Sequence, residues 1–211
     1  VSWFFYFSRF IVRVTFFIVT RLRVNGRENI PGTGPLIIIA NHITFAEPQI
    51  IGMLIERKMR FATKEGFFRN IFMRTLMKSI GCFPVYQGVA DRKTIRLMEE
   101  YVKEDFALII FPEGTRSLNA KLLPALNGTA LLAQHTGAQI LPVGISGTEK
   151  MRGFGWFFKR PVVNVNFGQP FQLSSNNGKL TREDATRLVM ERITDLLPPE
   201  YHGVYAEKGN E

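Results

Sequence analysis

From residue 21 onward the chain alternates two patterns. Short apolar and β-branched runs at 36–40, 60–63, 83–86, 107–111, 140–145 and 162–167 are separated by stretches with helical spacing near 48–57, 66–79, 91–103, 127–136 and 182–197. Runs such as Ala107-Leu108-Ile109-Ile110 contain no polar residue, as expected of strands covered on both faces. Strand and helix in alternation predict an α/β fold, with a mixed, largely parallel central sheet flanked by helices on both faces. Residues 22–35, LRVNGRENIPGTGP, predict a short strand and then a turn rich in Gly and Pro. The final helix has Thr181 as its cap, Glu183 and Asp184 in its first turn, and Pro198 and Pro199 beyond its end.

The first 20 residues, VSWFFYFSRFIVRVTFFIVT, break this pattern. As a helix they reach about 30 Å, the thickness of a bilayer core. At about 100° per residue, Ser2, Arg9, Arg13 and Thr20 fall on one narrow stripe, and the rest of the surface is Phe, Ile, Val and Trp. Spanning a bilayer would cost about 5–7 kcal/mol for the two arginines and return about 4–7 kcal/mol from the apolar residues. Lying in the interface keeps the apolar contact and leaves both guanidinium groups wet. The expectation is an amphipathic, membrane-associated helix over 1–20, followed by one domain over 21–211. A spanning helix and a helix docked on the domain's own core are the alternatives. No small-residue cleavage site ends the stretch, so no cleavable signal peptide is expected.

Composition narrows the partners. Lys and Arg number 27 against 18 Asp and Glu, a net charge of +9 in 211 residues. An excess of that size points to an anionic partner. The 19 phenylalanines favour an anionic membrane surface over nucleic acid. The single cysteine, Cys82, excludes an intrachain disulfide and fits a reducing compartment, which places the protein on the cytoplasmic face of a membrane. Cys82 lies among apolar residues and reads as core. His135 and His202 have no acid at ligand spacing, so no metal site is expected. No Gly-x-Ser-x-Gly elbow is present for a serine hydrolase. Residues 151–161, MRGFGWFFKRP, mix aromatic and basic side chains, either as a loop over the core or as a second membrane contact.

Two constellations carry chemistry. Asn41-His42-Ile43-Thr44-Phe45-Ala46-Glu47-Pro48 follows the apolar run at 36–40, at the strand end where α/β folds place their sites. A carboxylate on one imidazole nitrogen fixes the tautomer and raises the basicity of the other, which can then take a proton from a hydroxyl. Phe111-Pro112-Glu113-Gly114-Thr115-Arg116-Ser117 follows the run at 107–110. Gly114 permits a tight turn whose amides face an anion, and Arg116 presents a planar, always-charged fork to a phosphate. Singly, each has a bland reading: a hydrogen-bonded loop histidine, and a strand-exit turn with a surface ion pair.

Taken together and in order, these motifs are similar to those of the phospholipid acyltransferase family that includes 1-acylglycerol-3-phosphate acyltransferases. Gly81-Cys82-Phe83-Pro84-Val85, Phe61-Ala62-Thr63-Lys64-Glu65-Gly66-Phe67-Phe68 and Leu141-Pro142-Val143-Gly144-Ile145 match further family blocks, and the resemblance covers roughly residues 20–207. It implies His42 as general base and Glu47 as its orienting partner. It implies Glu113, Gly114, Thr115, Arg116 and Lys64 as binders of the acceptor's phosphate. The reaction implied moves a fatty acyl group from acyl-CoA or acyl carrier protein to the hydroxyl of a lysophospholipid, without metal or cofactor. The chain departs from the family pattern in three places. Glu47 stands where aspartate is usual, Gln87 lies where the family carries a cation after the Val block, and Pro124-Ala125-Leu126-Asn127-Gly128 matches a Phe-Lys-x-Gly run of the family without its cation. Lys64, Arg69 or Arg92 could substitute for the two cations. A lysophospholipid diester, a glycolipid or a lipidated amino acid would fit the weaker clamp, and a non-catalytic lipid-binding module is the reading from another class.

Overall fold

A computed structural model describes residues 3–85, 92–173 and 180–206. Seven strands form one sheet: β1 (Arg21–Asn25), β2 (Leu36–Ala40), β3 (Met59–Lys64), β4 (Cys82–Val85), β5 (Ala107–Ile110), β6 (Gln139–Ser146) and β7 (Val162–Phe167). The order is β1-β7-β6-β2-β5-β3-β4, and every pair is parallel except β6 with β7. The helices are α1 (Trp3–Val19), α2 (Ala46–Leu54), α3 (Ile71–Ser79), α4 (Arg92–Lys103), α5 (Gly128–Thr136), α6 (Trp156–Lys159) and α7 (Arg182–Thr194).

The all-apolar strand β2 explains the layering. Successive strand residues face opposite sides, and both sides of β2 are buried. Ile37 and Ile39 enter one core with Met98 and Val102 of α4, Leu132 and Ala133 of α5, and Val189 and Ile193 of α7. Leu36, Ile38 and Ala40 enter the other with Ile50, Ile51, Met53 and Leu54 of α2. Fully burying a Leu or Ile side chain contributes about 1.5–3 kcal/mol, so β2 anchors the whole sheet. Gly144 of β6 is required by the fit of the chain segment after α7. A Cβ there would stand 2.6 Å from Leu196 Cβ and 2.7 Å from its carbonyl oxygen.

Several boundaries differ from the sequence reading. The helix expected near 48–57 begins at Ala46 and stops at Leu54, where Ile55 turns extended (φ −99°, ψ 130°). The following segment is tied down by Arg57, which donates to the carbonyls of Pro31 and Gly34 and to Asp105 Oδ1 at 2.7 Å. The single helix expected over 66–79 is a short 3-10 turn over Glu65–Phe68 and then α3. Asn70 makes the break. It is extended, and its side chain accepts from the N–H groups of Phe72 and Met73 (2.8 and 3.3 Å), a cap that starts a new helix. The last helix ends at Thr194, short of 197.

The N-terminal helix also departs from expectation. Its supposed wet stripe is partly turned inward. The Arg9 side chain is only 15% exposed and lies 4.0 Å from Glu56, and Thr20 is buried with its hydroxyl on the Phe16 carbonyl at 2.6 Å. Val12 and Phe16 pack on the α2 side of the core. Arg13 stays exposed, and so do Phe7, Phe10, Ile11, Val14, Phe17 and Ile18. The helix is thus docked along the side that carries Arg9, Val12, Phe16 and Thr20, and is largely apolar outside. Among the described residues, no helix is long and apolar enough to cross a membrane.

Candidate active site

The two motifs leave the sheet side by side. β2 and β5 are adjacent and parallel, so residues 41–47 and 111–117 emerge at the same edge. From β2 the chain continues into α2 on one face, and from β5 to α5 on the other. Departures to opposite faces open a crevice at the strands' C-terminal ends. Asn41 forms its floor. The side-chain amide donates to the Ile145 carbonyl and accepts from the Ile145 N–H, both at 2.8 Å.

His42 is held from every side but one. Its N–H donates to Glu113 Oε1 (2.9 Å), and its carbonyl accepts from the Ser117 N–H (2.7 Å). The ring stacks on Phe111, with centroids 4.1 Å apart and planes 21° from parallel. Nδ1 lies 3.0 Å from Glu47 Oε2. Glu47 is fully buried in the first turn of α2, where the helix N-terminus favours a negative charge. The Thr44 N–H reaches both of its oxygens (2.9 and 2.8 Å), and the Thr44 hydroxyl donates to Oε1 at 3.0 Å. Thr44 Oγ1 in turn accepts from the N–H of Ala46, the first residue of α2, at 3.1 Å. A carboxylate held by donors alone presents an acceptor to Nδ1. In the neutral imidazole the proton is then on Nδ1 and the lone pair on Nε2.

The second motif divides in two. Glu113 does not face the crevice. It is buried, and its oxygens are used on the N–H groups of His42 and Leu123, both at 2.9 Å. Burial pushes its pKa up to about 7 against the pull of those two amides, and the nearby charge of Glu47 adds to the rise. Gly114, Thr115 and Arg116 are exposed. Gly114 adopts φ +66°, and a Cβ there would meet Leu126 Cδ1 at 2.6 Å. The Arg116 guanidinium lies over the Phe45 ring, 3.7 Å from its centroid. A cation over an aromatic face is attracted by the ring quadrupole, so Phe45 supports the Arg116 side chain.

The structure thus brings His42, Glu47, Glu113, Gly114, Thr115 and Arg116 together. Lys64 is exposed at the end of β3, on the same sheet edge, next to β5, which leads into Gly114–Arg116, and two strands from β2, or about 10 Å across the sheet. Of the positions lacking the family's cations, Gln87 lies outside the described residues. Leu126 covers Gly114 and donates its N–H to the Pro112 carbonyl at 2.9 Å, while Asn127 accepts from the Thr186 hydroxyl at 3.1 Å. Both fasten the loop. Arg69 is exposed and 3.7 Å from Glu65, and Arg92 is exposed at the start of α4. Two contributors escaped the sequence reading. Phe45 is the platform under Arg116. Arg152 donates to the carbonyls of Ile43, Ser117 and Leu118. Its partners are backbone atoms, which no residue pattern marks.

A hydrogen-bonded imidazole–carboxylate pair thus stands beside an arginine-bearing turn at one sheet edge. The sequence matches the Acyltransferase family over residues 21–146, and the chain belongs to that family. It is 27% identical over 136 residues to a chloroplastic 1-acyl-sn-glycerol-3-phosphate acyltransferase of Brassica napus, covering 63% of this chain and 39% of that protein. The chain therefore spans about two-fifths of that relative's length. To the 1-acyl-sn-glycerol-3-phosphate acyltransferase of Bacillus subtilis it is 23% identical over 150 residues, covering 71% of this chain and 73% of the other. Its fold is that of the crystal structure of the 1-acyl-sn-glycerophosphate (LPA) acyltransferase PlsC from Thermotoga maritima. The TM-score is 0.69 at 23% identity, over 90% of this chain and 84% of that one.

Proposed function

We propose that this protein transfers a fatty acyl group from an acyl thioester, acyl-CoA or acyl carrier protein, to the free hydroxyl of 1-acylglycerol-3-phosphate, giving phosphatidic acid. The observation that carries this reading is the 3.0 Å contact between His42 Nδ1 and the buried Glu47, one loop away from Arg116. Nε2 takes the hydroxyl proton as the oxygen attacks the thioester carbon. The tetrahedral adduct collapses by breaking the carbon–sulfur bond, and the proton on Nε2 passes to the departing thiolate. No acyl-enzyme is needed. The names of the relatives from Brassica napus and Bacillus subtilis support the acceptor. The test is a lysophospholipid panel with labelled acyl-CoA and acyl carrier protein. Turnover should be highest with the phosphate monoester. A preference for diester acceptors would instead follow from the uncharged residues at 126 and 127.

Arg116 is assigned to the acceptor's phosphate. Arg116→Ala should raise the Michaelis constant for the acceptor about 10–100-fold, the equivalent of about 1.5–3 kcal/mol for a charge-assisted pair. The donor constant should hardly move. A rise in the donor constant alone would move Arg116 to the other substrate.

We further place the protein on the cytoplasmic face of a membrane, against anionic lipid. The outward Phe10, Phe17 and Ile18 of α1 support this, as do Phe154 and Phe158 around α6, all strongly exposed. Arg160 ties the two elements together by donating to the Phe17 carbonyl at 3.2 Å. Exposed apolar surface of this kind beside Arg13, Lys159 and Arg160 suits the headgroup boundary. Phe10→Ser with Phe17→Ser should shift the protein from floated anionic vesicles to the soluble fraction. Undiminished flotation would remove α1 from the membrane contact.

A further inference from the structure

We propose that Arg152 is a positioning residue that holds the loop of the base and the loop of the anion clamp in fixed register. The inference deepens the acyltransferase reading and rests on it for its kinetic consequence. Arg152 lies outside both motifs, just past the 3-10 turn Thr148–Met151 that follows β6. Its Nη2 donates to the Ile43 carbonyl and to the Ser117 carbonyl, both at 2.8 Å. Its Nη1 donates to the Leu118 carbonyl. Ile43 is the residue after His42, and Ser117 is the residue after Arg116. One guanidinium therefore grips the backbone immediately beyond each working side chain.

The two loops have links of their own: hydrogen bonds that converge on His42, and the contact of Arg116 with the Phe45 ring. The His42 carbonyl accepts from the Ser117 N–H, and its N–H donates to the Glu113 carboxylate. Those hydrogen bonds meet at one residue, and the remaining link is between side chains, so the backbones of residues 43 and 117–118 are not held to each other by them. Arg152 adds a separate anchor, brought in from a third strand. Its root is itself fastened. The Gly147 N–H donates to Glu149 Oε2 (3.0 Å) and to the Tyr201 hydroxyl (3.2 Å), and that hydroxyl donates to Glu149 Oε1 (3.0 Å). Gly147 adopts φ +91°, and a Cβ there would stand 2.2 Å from the Val162 carbonyl oxygen, so the turn that launches the arm admits little variation. Three divergent carbonyls in reach of one planar group call for arginine. An ammonium has three donors but no fixed fork.

The experiment compares wild type with Arg152→Ala and Arg152→Lys. It measures kcat, acceptor KM, melting temperature and the proton resonance of His42 Nδ1–H in protein labelled at histidine nitrogen. Arg152→Ala should lose about 10²-fold in kcat, the cost of an ångström-scale misplacement, with a much smaller change in KM, since Arg116 stays on its own loop. Free guanidinium ion at millimolar concentration should restore part of the loss, and Arg152→Lys should sit between the two. The Nδ1–H resonance should broaden or vanish in Arg152→Ala. Wild-type kcat in a folded Arg152→Ala overturns the proposal. So does a loss that tracks a fallen melting temperature and responds neither to lysine nor to guanidinium. If Arg152→Ala does not fold, Arg152→Lys decides by the same criteria. If wild type transfers no acyl group to any acceptor, the functional reading fails by itself. The resonance then decides, an unchanged His42 signal overturning the role of Arg152.

Discussion

Replacing His42 by alanine is expected to lower acyl-transfer turnover by about 10²–10⁴-fold, the range for a lost general base, while the domain keeps its fold. The neighbourhood supports both halves of that expectation. What the architecture takes from residue 42 is its backbone: the N–H on Glu113 and the carbonyl on Ser117. Alanine supplies both. What it removes is the ring, whose contacts are Glu47 and the face of Phe111. Those contacts orient a proton acceptor and support little else. Turnover with lysophosphatidic acid and a melting curve, measured on the same preparation, check the prediction. Near-normal turnover in a folded variant would remove His42 from the chemistry.

Glu47→Gln should lower turnover over a similar range, about 10²–10⁴-fold, by acting on the imidazole through its partner. Every group around the Glu47 carboxylate is a donor: the Thr44 N–H, the Thr44 hydroxyl and His42 Nδ1–H. A glutamine places its own NH₂ among them, where it finds no acceptor. A buried polar group so stranded costs about 1–3 kcal/mol, and the amide cannot stabilise an imidazolium. If the amide oxygen turns to Thr44, the NH₂ confronts Nδ1 and favours the wrong tautomer. Glu47→Asp keeps an all-acceptor group with the family's usual length and should retain substantial activity. The pair of variants separates charge from geometry. Wild-type turnover in Glu47→Gln would show that Glu47 is not the partner of His42.

The layered α/β sheet was legible because β2 and β5 are unbroken apolar runs, which only a doubly covered strand tolerates. The meeting of His42 with Glu47 was legible because an imidazole and a carboxylate five positions apart can reach each other across a turn. Less of the second motif could be read. Glu113 was grouped with the phosphate-binding turn because a carboxylate in an anion-binding loop has no pattern distinguishing a surface group from a buried prop; only its two amide partners do so. Lys64 shares a sheet edge with the crevice, yet its lateral distance follows from strand order, which adjacent sequence does not encode. Along α1 the spacing of Ser2, Arg9, Arg13 and Thr20 suggested a polar stripe but not its direction, and Ser2 lies outside the described residues. Glu56, waiting on the domain, turned part of it inward.

Asn41 has a consequence for how the crevice opens. Its side chain has the donor and acceptor of a peptide unit, and it presents both to Ile145 as a neighbouring strand would. The ladder between β2 and β6 therefore gains one more rung, made without main chain from β2. The backbone at 41 is released from pairing and can swing away to carry His42 out over the edge, while β6 sees no frayed strand beside it. A strand would ordinarily have to choose between staying zipped and leaving to do chemistry. An amide at this position lets it do both. An aspartate would keep the acceptor but leave the Ile145 carbonyl bare, and an alanine would strip both groups, so that the sheet would begin to unzip directly beneath the base.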